Sequence, residues 1–253
     1  MKVVILAGGF GTRISEESKF RPKPLIEIGG MPILWHVMKI FYHQGFSDFI
    51  ICGGYKSESI KKFFLDYALT QSDVSIDFKK GDTQYFNNKT EDWKVTIVDT
   101  GLNTMTGGRL GRIKEYLDNQ TFMMTYGDGL SNIDLAKLIK FHKKNKAIAT
   151  LTRVKPPGRF GELIVDGDKI KSFEEKPESS NSINGGFFVL EPDVFSLIRD
   201  DDEIWEQYPL ETLANEGKLF GFPHDGFWHP MDTLKDREYL NKVFHEDPPW
   251  KIW

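Results

Sequence analysis

Short, largely apolar runs alternate with longer segments of helical period through the first half of the chain. "KVVILA" (2–7), "DFIICGG" (48–54), "WKVTIVDTG" (93–101), "TFMMTYGDG" (121–129) and "AIATLTRV" (147–154) read as strands. An apolar run with no polar alternation suits a strand covered on both faces. Between them, "PILWHVMKIFYHQG" (32–45) starts on a proline, repeats apolar residues at helical spacing and stops at Gly45. "SESIKKFFLDYAL" (57–69), with Ser57 as a candidate cap, "GRLGRIKEYL" (108–117) and "NIDLAKLIKFHKKN" (132–145) read as helices as well. "SIDFKK" (75–80) is one more strand, followed by the polar connector "GDTQYFNNKTED" (81–92). Strand and helix in alternation predict an α/β fold: a Rossmann-like, mostly parallel mixed sheet flanked by helices.

The second half changes character. "ELIVDGDKIKSF" (162–173) is two alternating strands around Asp166-Gly167, a hairpin signal. "INGGFFVLEP" (183–192) is a strand; "EIWEQYPLETLANEG" (203–217) and "TLKDREYLNKVFHED" (233–247) are helices. No linker-like shift, internal repeat or low-complexity tract divides the halves. We expect one domain over residues 1–253, an α/β part followed by a mixed, hairpin-bearing extension.

Composition excludes several classes. A formal net charge of -4 over 253 residues argues against nucleic acid as a partner. A single cysteine, Cys52, precludes an intrachain disulfide and reads as core filler, consistent with a reducing cytosol. No apolar run is long enough for a bilayer and the N-terminus lacks a signal-peptide layout, so we expect a cytoplasmic protein without membrane partners. The six histidines show no metal-ligand spacing, and the aromatic ending "PPWKIW" is expected to dock on the body or on a neighbouring subunit.

The stretch "LAGGFGTRI" (6–14) leaves the first buried strand as a glycine-rich loop. Such a loop offers backbone N–H groups to an anion, and glycine admits close approach. The dinucleotide spacing G-x-G-x-x-G fails at Ile14, and no Gly-Lys-Ser/Thr follows, so neither a dehydrogenase nor a Walker-type ATPase is indicated. Arg13 follows the loop. Lys23 sits between Pro22 and Pro24, which stiffen its backbone. Backbone donors with fixed cations suit a triphosphate; a plain turn with solvated cations accounts for the same residues.

Other candidates stand at strand ends. Asp128, flanked by Gly127 and Gly129, lies just past a buried strand, where α/β sheets bind ligands; a tight Gly-Asp-Gly turn explains it equally. Asp232 precedes a helix and is a candidate N-cap. Lys176 in "EEKP" suits an anionic group or is a solvated charge. Glu162 at a strand start suits hydroxyl donors or is an edge charge. Asn184 and Gly185 open a strand with an amide and room beside it, or form a strand-entry turn. Thr104, Thr106, Gly107 and Arg109 offer hydroxyls, room and a guanidinium donor to a polar ligand; a capped helix entry explains the threonines too. No Gly-x-Ser-x-Gly, Cys/His pairing or His-Glu-x-x-His is present.

"LAGGFGTRI" with "RPKPLIEIGGMPIL" resembles the signature of the sugar-nucleotide pyrophosphorylases, nucleotidyltransferases that join a sugar 1-phosphate to a nucleoside triphosphate. "YGDG", "EEKP", "NGGFFVLEP" and "FWHPMDT" occur in the family's order, so the resemblance covers most of the chain. The family's Leu-x-Pro-x-Thr step is replaced here by "ISEESKFRPKP". The resemblance implies that Leu6, Ala7, Gly8, Gly9, Phe10, Gly11 and Thr12 wrap the nucleotide, that Arg13 and Lys23 are catalytic, and that Asp128 and Asp232 share a Mg²⁺ ion. With "TGLNTMTGGRLGRI" it implies CTP and glucose 1-phosphate as substrates, with UTP or dTTP as the alternative triphosphate. A catalytically silent sugar-nucleotide sensor is the reading from another class. The resemblance also implies a homo-oligomer and a role in supplying deoxysugars for surface polysaccharide. It implies a mainly nucleotide-binding part over 1–130 and a mainly sugar-phosphate-binding part over 131–253, with Glu162, Lys176, Asn184 and Gly185 toward the sugar phosphate and Thr104, Thr106, Gly107 and Arg109 toward the pyrimidine, Arg109 donating to a ring carbonyl.

Overall fold

The computed structural model describes residues 1–155, 162–166, 169–174 and 182–253, with backbone only for 162–174. Seven strands form the central sheet: β1 (Val3–Leu6), β2 (Asp48–Gly53), β3 (Lys94–Asp99), β4 (Phe122–Tyr126), β5 (Ala149–Val154), β6 (Ile183–Leu190) and β7 (Leu219–His224). Their order across the sheet is β7-β5-β6-β4-β1-β2-β3. Strands from both halves of the chain therefore build one sheet.

β1 lies at the centre because its sequence leaves no alternative. All four of its residues are buried. Val3 and Ile5 point into one apolar layer with Val37 and Phe41, and Val4 and Leu6 into the other with Leu110 and Trp205. Alternate residues of a strand face opposite sides, so a run buried throughout needs helices on both faces. The covering helices are α1 (Ile33–His43), α2 (Ser57–Thr70), α3 (Thr106–Arg112), α4 (Leu135–Asn145), α5 (Tyr208–Asn215) and α6 (Leu234–Glu246).

Only β6 runs against its neighbours: β1 is parallel to β2 and β4, whereas β6 is antiparallel to both β4 and β5. The hairpin made by Glu162–Asp166 and Lys169–Glu174 separates β5 from β6. Among the described residues of the connection there is no crossover helix, and the chain returns antiparallel beside β5. The mostly parallel mixed sheet and the hairpin match the expected fold class.

Several elements differ from the expectation. The connector 81–92 contains a strand, Asp82–Phe86, paired with Asp73–Asp77. This ribbon stands off the body, with Val74, Ile76, Tyr85 and Phe86 exposed. Its polar alternation hid it, because no large face of it is buried. β7 carries Pro223, which a sheet tolerates at its edge. Ser57 is not the α2 cap: Lys56 holds that position at φ 52 without a side-chain bond, and Ser57 packs beneath Gly53. α5 starts only at Tyr208, consistent with Pro209 being tolerated in a first turn and not deeper.

The C-terminal aromatics dock on the body. Trp250 is fully buried, and its indole N–H donates to His36 Nδ1 at 3.4 Å. The opposite ring nitrogen, Nε2, then carries the proton and donates to the Ile28 carbonyl at 2.8 Å. Burial pushes the pKa of His36 down to about 4, with the Lys251 charge adding, against the upward pull of the Ile28 carbonyl. The unfolded ring titrates near ~6.5, so the unfolded state binds the extra proton between ~6.5 and about 4. Stability should fall as pH drops through that window, by up to about 3 kcal/mol. Thermal melts from pH 7 to 4 should show a shallower decline for His36→Gln than for the wild type; parallel declines would mean that His36 is not the group responsible.

Candidate active site

The centre of the sheet is also its switch point. From β1 the chain passes outward to β2 and β3, then returns to the other side as β4. Loops leaving the carboxyl ends of β1 and β4 diverge there and open a crevice. A cleft of ≈ 490 Å³ occupies it, lined by Leu6 to Ile14, Lys23, the segment 102–106, Arg109, Tyr126 to Asp128, and Asp232.

Arg109 anchors the floor. Its Nη1 donates to the Gly53 carbonyl (3.0 Å), Thr100 Oγ1 (2.8 Å) and the Gly101 carbonyl (2.7 Å). Its Nη2 donates to the carbonyls of Gly8 (3.1 Å) and Leu102 (3.3 Å). Burial, then Arg112, lowers its pKa from the ordinary arginine value, while Cys52 and Asp99 raise it. Both terminal nitrogens are engaged by the chain itself, and the loop framework holds this side chain in place. The guanidinium also explains two glycines. A Cβ on Gly8 would lie 2.2 Å from Nη1, and one on Gly54 2.5 Å from it. Burial raises the Cys52 thiol to about 12 against the pull of Arg109, leaving it an inert core group.

The rest of the loop is open to the cleft. A Cβ on Gly9 would meet nothing within 4 Å. Phe10 is half exposed and lies 5.4 Å from the Tyr55 ring. Gly11 has φ 65, a conformation that costs glycine little, and sits between Lys23 and Ser18.

Four charges meet at the cleft mouth. Lys23 Nζ donates to Asp128 Oδ2 and, at 2.8 Å, to Asp232 Oδ1. Arg13 Nη1 donates to Asp232 Oδ2 at 2.7 Å from a largely exposed side chain. Burial lowers the Lys23 pKa, but the two aspartates outweigh it and hold its ammonium above the ordinary lysine value. The aspartates lie far apart in sequence and are joined by a short ribbon. Gly129–Ser131 pairs with Trp228–Pro230, and Met231 N–H donates to the Asp128 carbonyl at 2.9 Å. Asp232 is not the α6 cap. Thr233 takes that role in a capping box with Asp236, whose carboxylate also accepts the Asp232 N–H at 3.0 Å.

The donor set suits magnesium. Two carboxylates converge on one cationic centre, here the Lys23 ammonium. Among the described residues no group of three or more His, Cys, Asp or Glu side chains forms a cage. One or two carboxylates completed by substrate phosphates and water is the pattern expected of Mg²⁺.

The other expected residues divide. Thr104 and Thr106 line the cleft, whereas Gly107 packs against the Glu203 backbone, where a Cβ would lie 2.7 Å from the carbonyl. Asn184 and Gly185 lie beside the cleft: Asn184 Nδ2 donates to the Tyr126 hydroxyl at 3.4 Å, and the Gly185 carbonyl accepts from Trp228 at 2.7 Å. Glu162 begins the hairpin strand. Lys176 lies outside the described residues. Sequence reading passed over Tyr126, although it directly precedes the Gly-Asp-Gly step. It also passed over Glu206, which accepts hydroxyl protons from Tyr126 and Thr106 and has no local signature.

Residues 2–220 match the nucleotidyl transferase family, and the chain belongs to that family. It is 51% identical to the glucose-1-phosphate cytidylyltransferase of Salmonella typhi over 256 residues, covering 100% of both chains. It is 44% identical to the probable glucose-1-phosphate cytidylyltransferase of Bacillus subtilis, again covering 100% of both. Its fold is similar to the UDP-glucose pyrophosphorylase of Acinetobacter baumanii, with a TM-score of 0.72 at 17% identity over 98% of this chain and 95% of that one.

The two glycines of the loop should separate cleanly. Gly8→Ala should lose about 2 kcal/mol or more, since neither the buried guanidinium nor the Tyr55 N–H bound to the Gly8 carbonyl can yield freely. Gly9→Ala should stay within about 0.5 kcal/mol of wild type. Denaturant titration of both variants checks this, and equal stabilities would remove Arg109 as the reason for Gly8.

Proposed function

We propose that the chain transfers the cytidylyl group of CTP to glucose 1-phosphate, giving CDP-glucose and pyrophosphate. The observation that carries this reading is the full-length 51% identity to the Salmonella typhi enzyme, on a chain that gathers Arg13, Lys23, Asp128 and Asp232 at one cleft.

The nucleophile is a sugar-phosphate oxygen that already carries charge. It forms a bond to the α-phosphorus as the bond from that phosphorus to the bridging oxygen breaks, and pyrophosphate departs with the electron pair. No side chain has to remove a proton, so positioning and charge neutralisation carry the catalysis. The open loop from Gly9 to Thr12 offers backbone donors to the phosphates. Arg13, exposed and held only at its tip by Asp232, meets charge developing on the leaving pyrophosphate. Lys23 lies deeper and stays charged, because two carboxylates hold its pKa up. Asp128 and Asp232 would hold Mg²⁺, and the ion would supply further neutralisation of the phosphates.

Residues 1–130 supply the nucleotide contacts in this reading. From 131–253 the same reading assigns Glu162, Lys176, Asn184 and Gly185 to the sugar phosphate, and it assigns Thr104, Thr106 and Arg109 to the base end. No helix among the described residues is long and apolar enough to cross a membrane, in keeping with work in the cytoplasm for surface-polysaccharide synthesis. The exposed apolar ribbon of Val74, Ile76, Tyr85 and Phe86 supports a homo-oligomer.

Purified protein with glucose 1-phosphate and each of CTP, UTP, dTTP, GTP and ATP decides the reaction. Pyrophosphate release should be fastest with CTP, and chelation should abolish it until Mg²⁺ is restored. Preference for another triphosphate, or full turnover in excess chelator, overturns the corresponding part. Asp128→Asn should lower kcat by about 10²–10³-fold with the fold intact. Arg13→Ala should lower kcat without moving the melting temperature, and Arg13→Lys should recover only part, because an ammonium lacks the planar fork that meets two phosphate oxygens. Steady-state kinetics and melts on these variants check both.

A further inference from the structure

Two residues that line the cleft donate their hydroxyls to the same carboxylate. Thr106, at the start of α3, donates from Oγ1 to Glu206 Oε2 at 2.6 Å. Tyr126, at the end of β4, donates to Glu206 Oε1. Thr106 Oγ1 is engaged a second time, because the Trp205 backbone N–H donates to it at 2.9 Å.

A free threonine hydroxyl is ambivalent. It has one proton to give and two lone pairs to receive with, and it rotates to suit its partner. A carboxylate only accepts, so Glu206 dictates where both protons point. Once the Thr106 proton is spent on Glu206 and one lone pair on Trp205, a single lone pair is left. Toward the cleft this oxygen is an acceptor and nothing else. A sugar hydroxyl does not register that restriction, since it turns its own proton inward. The exocyclic group of a pyrimidine cannot turn: cytosine presents an amino donor where uracil presents a carbonyl acceptor.

We propose that Thr106 reads the exocyclic amino group of the base and that Glu206 is the positioning residue behind it. By fixing the Thr106 proton, Glu206 makes the cleft accept the amino group of CTP and repel the carbonyl of UTP. The proposal rests on the cytidylyl reading above and adds the origin of its base selectivity. An amino group meeting the lone pair gains a hydrogen bond. A carbonyl there would leave two desolvated acceptors facing each other, the kind of mismatch that a built polar site rejects strongly.

The test is kcat/KM for CTP and for UTP at saturating glucose 1-phosphate, in wild type, Thr106→Val, Thr106→Ser and Glu206→Gln, with a thermal melt on each. Thr106→Val, near-isosteric but without the acceptor, should lose about tenfold with CTP and lose nothing with UTP. Thr106→Ser should keep the wild-type CTP-to-UTP ratio. In Glu206→Gln the amide oxygen stays with the phenol, the better donor, and the amide NH₂ faces Thr106. The threonine proton is then released toward the cleft, and the ratio should fall while KM for glucose 1-phosphate stays within about twofold. A CTP-to-UTP ratio in Thr106→Val within about twofold of wild type overturns the reading of the base by Thr106. A lowered ratio in Thr106→Val beside an unchanged one in folded Glu206→Gln overturns the role of Glu206. If Glu206→Gln does not fold, the Val and Ser pair decides. Failure of the cytidylyl reading is seen separately, in a wild-type enzyme that does not prefer CTP.

Discussion

The guanidinium of Arg109 is the constraint around which the cleft is arranged. It lies under the loop after β1 and ties together carbonyls from three places: Gly8 after β1, Gly53 at the end of β2, and Gly101 and Leu102 after β3. A charge buried in this way is tolerated only because nearly every donor finds an acceptor. Its requirements then propagate outward. Gly8 and Gly54 carry no side chain because the guanidinium fills that space. With the floor fixed, the residues from Gly9 onward are free to face the cleft, with their backbone donors unobstructed.

Above that floor, the cleft mouth balances charge against charge. Two aspartates and two cations compensate one another, with Lys23 between the carboxylates and Arg13 on the outer side of Asp232. Such an arrangement holds each group in place while remaining open to exchange. A polyphosphate offers the cations a richer set of oxygens, and a divalent ion offers the carboxylates a stronger partner than an ammonium. The ribbon from Gly129–Ser131 to Trp228–Pro230 makes this possible, because it carries Asp232 across to the end of β4. The hydrogen bonds of Asp236 to the backbone of Asp232 and Thr233 keep the Asp232 side chain out of helix capping.

Much of the architecture is legible in residue order alone. Runs such as "KVVILA" and "DFIICGG" have one stable solution, a strand covered on both faces. The helices between them carry apolar stripes at a period that fits only such a cover. The glycine-rich loop, Lys23 between prolines, and Asp128 past a buried strand are local features, and the cleft uses all three. Elements that bury no continuous face, such as Asp82–Phe86, left no comparable trace, since a strand without a core side has no hydrophobic period to read.

Long-range pairing was decided only in three dimensions. Nothing in "FWHPMDT" shows that Asp232 stands beside Asp128, because a two-stranded contact between segments about a hundred residues apart has no local signal. Arg109 reads as a donor to a base when only its neighbours in sequence are considered. Its five acceptors come from segments that meet only when β1, β2 and β3 align. Glu206 sits in a loop with no motif at all, and its control over Thr106 and Tyr126 exists because folding brings two hydroxyls to one carboxylate. Local periodicity and turn chemistry act within a few residues, so the sequence by itself determined the layers and the loop that opens the site. Which charges and hydroxyls face one another depends on the register of distant strands, and that the tertiary structure alone decided.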